Sequence, residues 1–101
     1  MDSYNEVYSE ICHIPKGNVA SYGYIFERMG TFRSSHALDY ALNRAFHSGN
    51  IPCHRVVGND GSLNPTFAYG GAERQRALLE MENVGFLPDG RVDLENYGLK
   101  I

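Results

Sequence analysis

Apolar side chains recur at helical spacing in several stretches of the chain, and the first stretch covers residues 3–13. Ser3 and Glu6 have the spacing of a capping box at its start, and Pro15 follows its end, where proline stops a helix. The sequence therefore predicts an amphipathic first helix with the apolar stripe Tyr4, Val7, Tyr8, Ile11 and Cys12.

Two shorter helical stripes follow, with a glycine-containing connection between them. The second predicted helix spans Tyr22–Met29, with Ser21 as its N-cap and Gly30 just after its end. The third begins near residue 35 and reaches about residue 46. Two short helices joined in this way are typical of a helix-turn-helix. The outward face of the third helix carries His36, Asp39, Tyr40, Asn43 and Arg44.

The second half of the chain mixes short extended segments with one further helix. Val56 and Val57 are typical of a buried strand, and residues 72–83 predict a fourth helix. Short strands are expected around 86–87 and 91–93, and Tyr97 and Leu99 of the tail are expected to dock on the core. The predicted fold is mainly α with short β strands, a winged-helix-like helix-turn-helix in one domain, 1–101.

Net charge, apolar runs and cysteine content indicate which classes of protein the chain can belong to. The net charge of -3 argues weakly against binding nucleic acid through bulk positive charge, although a local basic face stays compatible with it. No apolar run approaches the roughly 20 residues of a membrane helix, and the polar start does not resemble a secretory signal. Cys12 and Cys53 are therefore expected to be free thiols in a reducing compartment, the cytoplasm or a eukaryotic nucleus.

Cys53 and His54 form the most distinctive local pair for chemistry. A thiol acts as a nucleophile only as thiolate, so it needs a neighbouring base. Neighbouring side chains of an extended backbone point apart, and Pro52 makes the required bend plausible. Glu82, predicted on an inward helix face, is the candidate that fixes the histidine tautomer. The alternative stays open that Cys53 and His54 are only core residues.

A zinc site is the other chemistry that these residue types suggest. It would require Cys12, His13, Cys53 and His54 to converge as two adjacent pairs. That is not a recognised ligand spacing, so we predict no metal site.

Three segments resemble one family. The heptad Ile-Pro-Cys-His-Arg-Val-Val at 51–57 is similar to the active-site signature of the O6-alkylguanine-DNA alkyltransferases. Ile-Pro-Lys-Gly-Asn-Val-Ala-Ser-Tyr-Gly at 14–23 resembles a second family segment, and 70–82 resembles the helix that supplies its glutamate. The length is similar to that of the alkyltransferase-like proteins, which consist of this domain alone.

The resemblance implies a single-turnover DNA repair protein with the fold of the alkyltransferase type. Cys53 would accept the alkyl group, His54 would act as base through a water, and Glu82 would orient His54. Double-stranded DNA with O6-alkylguanine would be the partner, and flipping is required because O6 lies inside the duplex. The protein would act as a monomer without cofactor or metal.

Further roles follow from the same resemblance. Tyr22 would lie beside the lesion and the rotated phosphate, Arg55 would support the site structurally, and the third helix would enter the minor groove. The expected walls of the alkylguanine pocket are Pro52, Val56, Val57, Tyr69 and Gly70.

The DNA-facing helix departs from the family pattern. His36 replaces the family's arginine that fills the gap left by the flipped base, and Asp39 and Tyr40 replace small residues. Ala45 replaces a common asparagine. A carboxylate facing phosphates is unfavourable, and a bulky ring hinders close approach. Positive charge or hydrogen bonds to DNA could still come from Arg33, Asn43 and Arg44.

Three functions therefore stay open. The first is transfer of the alkyl group to Cys53. The second is an alkyltransferase-like protein that binds alkylated DNA and recruits excision-repair proteins; Cys53 argues against it, because many members lack the cysteine. The third is a helix-turn-helix domain that has lost lesion recognition, which the charge, Asp39 and Tyr40 favour.

Overall fold

The computed structural model describes residues 3–29, 35–46, 51–65 and 70–100, without the side chains of residues 3–5, 35, 45 and 46. The side chain of Ser3 and all of Arg33 and Tyr69 lie outside the described part of the chain, so the capping predicted for Ser3 and the roles predicted for Arg33 and Tyr69 stay predictions. The elements in chain order are α1 (Ser3–Cys12), β1 (Ala20–Ser21), α2 (Tyr22–Met29), α3 (Ser35–Phe46), a 3-10 turn (Cys53–Arg55), β2 (Val56–Val57), α4 (Gly71–Met81) and α5 (Leu94–Tyr97).

Helices α1, α2 and α3 enclose the first of two core clusters. The Tyr8 hydroxyl of α1 donates to the Ala41 carbonyl of α3 at 3.1 Å, which joins the two helices across the cluster. The apolar stripes predict the core correctly here, because their central members are fully buried. The buried members of this cluster are Val7, Ile11, Ile14, Ala20, Ile25, Leu38, Ala41, Leu42, Cys53 and Val56.

The helix-turn-helix pair begins as the sequence predicts. The Tyr24 amide donates to the Ser21 hydroxyl at 3.1 Å, so Ser21 is the N-cap of α2. The Gly23 amide donates to the Asn59 side-chain oxygen at 2.7 Å, which satisfies a second free donor of the first turn. The connection between α2 and α3 falls outside the described residues.

A two-stranded parallel sheet links this pair to the second half of the chain. Ala20 pairs with Val56 and Ser21 with Val57, so the turn at Cys53 immediately precedes the paired strand. Beside the sheet lies the second core cluster, whose buried members are Val19, Val57, Leu79, Val84 and Val92.

The tail docks on the core, as predicted. The Val19 amide donates to the Tyr97 carbonyl at 2.9 Å, and the Leu99 amide donates to the Val19 carbonyl at 2.8 Å. Both backbone groups of Val19 are thus used by the carboxy-terminal segment. The two strands predicted around 86–87 and 91–93 reduce to one antiparallel bridge between Phe86 and Val92.

Helix α4 ends two residues before the predicted end, at Met81. Asn83 adopts a φ of 66°, a left-handed conformation that terminates a helix. Glu82 therefore lies just beyond the helix and not on its inward face.

No helix among the described residues is long and apolar enough to cross a bilayer.

Candidate active site

The 3-10 turn supplies the predicted bend at Cys53. Pro52 lies at the N-cap of the turn, and its carbonyl accepts the Arg55 amide at 3.0 Å. The Cys53 amide donates to the Ile51 carbonyl at 2.8 Å. The backbone curls at the cysteine and becomes extended again at Val56, where β2 begins.

Glu82 accepts hydrogen bonds from two residues of this turn. His54 Nε2 lies 3.0 Å from Glu82 Oε2, so the contact predicted from the sequence is present. Arg55 binds the same carboxylate with both arms of its guanidinium, at 2.9 Å and 2.7 Å. A third Arg55 nitrogen donates to the Ile14 carbonyl at 2.9 Å. Bidentate geometry fixes the carboxylate, and the Ile14 contact ties it to the end of α1.

This arrangement keeps Glu82 ionised. Burial alone would raise the pKa of Glu82, but the hydrogen bonds from Arg55 and His54 outweigh it and lower the pKa to about 2. A carboxylate only accepts hydrogen bonds, so His54 Nε2 carries the hydrogen in this contact. Nδ1 of a neutral His54 is then left as a proton acceptor.

Gln75 of α4 is a site residue that the sequence did not reveal. Its side chain is fully buried, at 0% exposure, and its amide donates to the His54 carbonyl at 3.2 Å and to the Val56 carbonyl at 2.9 Å. Its oxygen accepts the Asn64 amide at 2.8 Å. Gln75 therefore fixes the backbone on both sides of Arg55. The sequence signals this role of Gln75 only indirectly: Gln75 is polar, yet it lies on the same side of the predicted helix as the inward-facing Leu78 and Leu79.

The Cys53 thiol is closed off in this structure. The residue is 1% exposed, and burial, with a smaller contribution from the Cys12 thiol, raises the pKa of Cys53 to about 12. Desolvation therefore disfavours the thiolate form of Cys53 in this structure. Cys12 is exposed on α1 and not part of the core, contrary to its place on the predicted stripe.

A cavity of about 230 Å³ lies beside β2. Val56 and Val57 line it, as expected, whereas Pro52 and Gly70 do not belong to its described lining. Gly70, with a φ of 129°, instead precedes α4 as its N-cap. The described lining residues are Tyr22, Asp39, Val56, Val57, Gly58, Ser62, Leu63, Asn64 and Pro65.

Tyr22 and Asp39 meet at this cavity. The Tyr22 hydroxyl donates a hydrogen bond to Asp39 Oδ1, which joins the start of α2 to α3. Burial and this hydrogen bond raise the pKa of Tyr22 above its ordinary value, so Tyr22 is a neutral donor. The predicted lesion residue is thus already paired with one of the residues that depart from the family pattern.

The outward face of α3 places two predicted DNA-binding side chains, and the departing residue Tyr40, in solvent. His36 and Arg44 are exposed, and Tyr40 is 52% exposed with the Arg44 guanidinium 5.8 Å from its ring centre. Asn43 is half-buried. Spacing by four residues places His36, Tyr40 and Arg44 along one side of the helix.

In the part of the chain that the structure covers, no cluster of His, Cys, Asp and Glu could hold a metal ion.

Comparison with known proteins finds relatives of this chain in sequence and in fold. Residues 2–84 match the sequence profile of the family described as 6-O-methylguanine DNA methyltransferase, DNA binding domain. The chain is 36% identical over 98 residues to the bifunctional methyltransferase/endonuclease of Picrophilus torridus, covering 96% of this chain and 32% of that protein. It is 37% identical over 81 residues to the methylated-DNA–protein-cysteine methyltransferase of Mycobacterium tuberculosis strain H37Rv, covering 80% of this chain and 48% of that protein. The chain thus spans about half or less of both relatives.

The fold is also similar to that of a protein solved in complex with DNA. Schizosaccharomyces pombe Atl1, solved in complex with damaged DNA containing O6-carboxymethylguanine, superposes with a TM-score of 0.81 at 28% identity. That superposition covers 98% of this chain and 95% of the yeast chain. The chain belongs to the O6-methylguanine-DNA methyltransferase family, whose DNA-binding domain it matches in sequence and in fold.

Proposed function

We propose that this protein recognises O6-alkylguanine in double-stranded DNA, takes the flipped base into the cavity beside β2, and accepts the alkyl group on Cys53. The observation that carries this proposal is the contact of His54 Nε2 with Glu82, next to a cysteine. It leaves His54 Nδ1 as a base one residue from the thiol. A cysteine that only packs in a core needs no such arrangement.

The transfer is balanced without any cofactor. Cys53 gives its proton through a water to His54 Nδ1, and the thiolate attacks the alkyl carbon attached to O6. The S–C bond forms as the C–O6 bond breaks, and the electron pair of that bond stays on guanine. The protonated His54 returns one proton to the leaving base, so guanine, neutral His54 and alkylated Cys53 result. A thioether is a poor leaving group, so each chain acts once.

The burial of Cys53 adds a condition to this mechanism. Burial raises the pKa of Cys53 to about 12, so the thiol is neutral at rest and gives its proton to His54 only once alkylated guanine is bound. Entry of the lesion therefore has to open the sulfur to the cavity. This order protects the thiol from oxidation until substrate arrives.

Recognition without transfer is the second candidate, and the closed thiol favours it. A sulfur that is 1% exposed and neutral would stay unreactive if the bound guanine did not open the turn. The protein would then mark alkylated DNA for excision-repair proteins. The likeness in fold to Atl1, solved with a damaged guanine, is compatible with both candidates.

Intact mass after incubation with duplex DNA containing O6-methylguanine separates the candidates. Transfer predicts a gain of one methyl group, lost in Cys53→Ser and kept in Cys12→Ser, the matched control with the exposed thiol changed. Preferential binding of the lesion without a mass gain would support recognition alone. Neither binding nor mass gain would support a helix-turn-helix domain without lesion recognition.

A further inference from the structure

We propose that Asp39 makes the cavity selective by charge, so that guanines with neutral O6 substituents are accepted and those with anionic substituents are rejected. This inference rests on the proposed function, because it assigns the cavity to the flipped base. It concerns the class of lesion, which neither Cys53 nor His54 determines.

Among the residues that the structure describes, no cation forms an ion pair with Asp39. Its partner is the Tyr22 hydroxyl, a neutral donor. The ion pairs within the described ranges use the carboxylates of Glu10, Glu80, Glu82 and Asp89. A neutral hydrogen bond orients the Asp39 carboxylate but leaves its charge in place.

The surroundings of Asp39 strengthen this effect. Val56, Val57, Leu63 and Pro65 supply apolar walls to the same cavity, and they replace water, which would screen a charge. Charges interact more strongly in such partly dry sites than in water. A methyl group on O6 meets no repulsion there, whereas a carboxylate would face Asp39 inside one cavity.

The phosphate backbone offers a competing explanation for any effect of Asp39, since its charge also repels phosphates. Repulsion between Asp39 and the phosphates is the same for duplexes that differ only in the substituent on one guanine. A comparison between two lesions of equal size and different charge therefore cancels it and isolates the charge inside the cavity.

The test uses two duplexes that differ only in the O6 substituent of one guanine, carboxymethyl or its uncharged amide, carbamoylmethyl. Binding of the full chain is measured by fluorescence anisotropy in a Cys53→Ser background, so that no transfer consumes the lesion. We expect the amide to bind about 10- to 50-fold more tightly, on the order expected for like charges in one cavity. Asp39→Asn, which keeps an acceptor for Tyr22, should bring the ratio to within about twofold of unity.

Glu95→Gln is the matched control, since it removes one exposed negative charge outside the cavity and should leave the ratio unchanged. Equal binding of the two lesions by the protein with Asp39, or a ratio unchanged in Asp39→Asn, overturns the inference. A third duplex with O6-methylguanine separates the two proposals. If it binds no better than unmodified DNA, the proposed function and this inference both fail; if it binds better but charge has no effect, only this inference fails.

Discussion

Replacing Gln75 by leucine tests whether one buried amide holds the turn around His54 in place. Leucine has a similar volume, so the change removes three hydrogen bonds with little loss of packing. The buried Val56 carbonyl, and the part-buried His54 carbonyl and Asn64 amide, each lose their hydrogen bond to Gln75.

The magnitude follows from the cost of unpaired polar groups. A buried donor or acceptor left without a partner costs about 1–3 kcal/mol, and water can reach partly buried ones. The apolar leucine side chain offsets part of the loss by its own burial. We expect the free energy of unfolding to fall by about 2–3 kcal/mol, which for a domain of this size lowers Tm by roughly 10–20 °C.

Urea unfolding followed by circular dichroism measures this change. Arg74→Gln is the matched control, because Arg74 is exposed on the same helix and its replacement should alter stability by less than about 0.5 kcal/mol. If Gln75→Leu were as stable as the control, the three hydrogen bonds would not be holding this segment.

Three further outcomes are expected. Ellman's reagent should titrate one fast thiol in the native protein, Cys12, and a second only on unfolding, because Cys53 is buried; two equally fast thiols would contradict this. Because Arg55 and His54 lower the pKa of Glu82 from 4.5 to about 2, against the effect of burial, the stability this carboxylate provides is complete above about pH 4.5 and is lost as pH falls towards 2. Glu82→Gln should flatten that part of the curve of unfolding free energy against pH, and an unchanged slope would argue against an ionised Glu82. His36→Arg should strengthen binding to lesion DNA in an anisotropy titration, since arginine adds a charge and a longer side chain; unchanged affinity would contradict the placement of α3 in the groove.

Local signals allowed much of the fold to be predicted from the sequence. Ser21 and the apolar stripe define α2, and Val56 with Val57 forms a strand because both are β-branched and bounded by turn residues. The Glu82–His54 contact was also predicted, although Glu82 lies past α4 and not on its face. Such features depend on residues close in sequence or on a polar group that needs a partner.

The remaining features depend on contacts that no periodicity encodes. Gln75 binds backbone groups of segments 11 to 21 residues away, and a backbone partner leaves no trace in the residue types there. Tyr22 and Asp39 lie 17 residues apart on two helices, so only their packing shows that the pair lines one cavity. The state of the Cys53 thiol depends on burial, which the sequence motif does not specify.

The hydrogen bonds of Val19 have a consequence for how far this chain can be shortened. The match to the family profile ends at residue 84, yet Val19 bonds through both of its backbone groups to residues 97 and 99. A chain truncated at residue 84 would leave an unpaired backbone edge beside the small sheet and uncover the apolar side chains of Val19 and Val57. Such an edge invites strand addition by a second molecule, so the truncated protein should aggregate before it loses its recognisable motif.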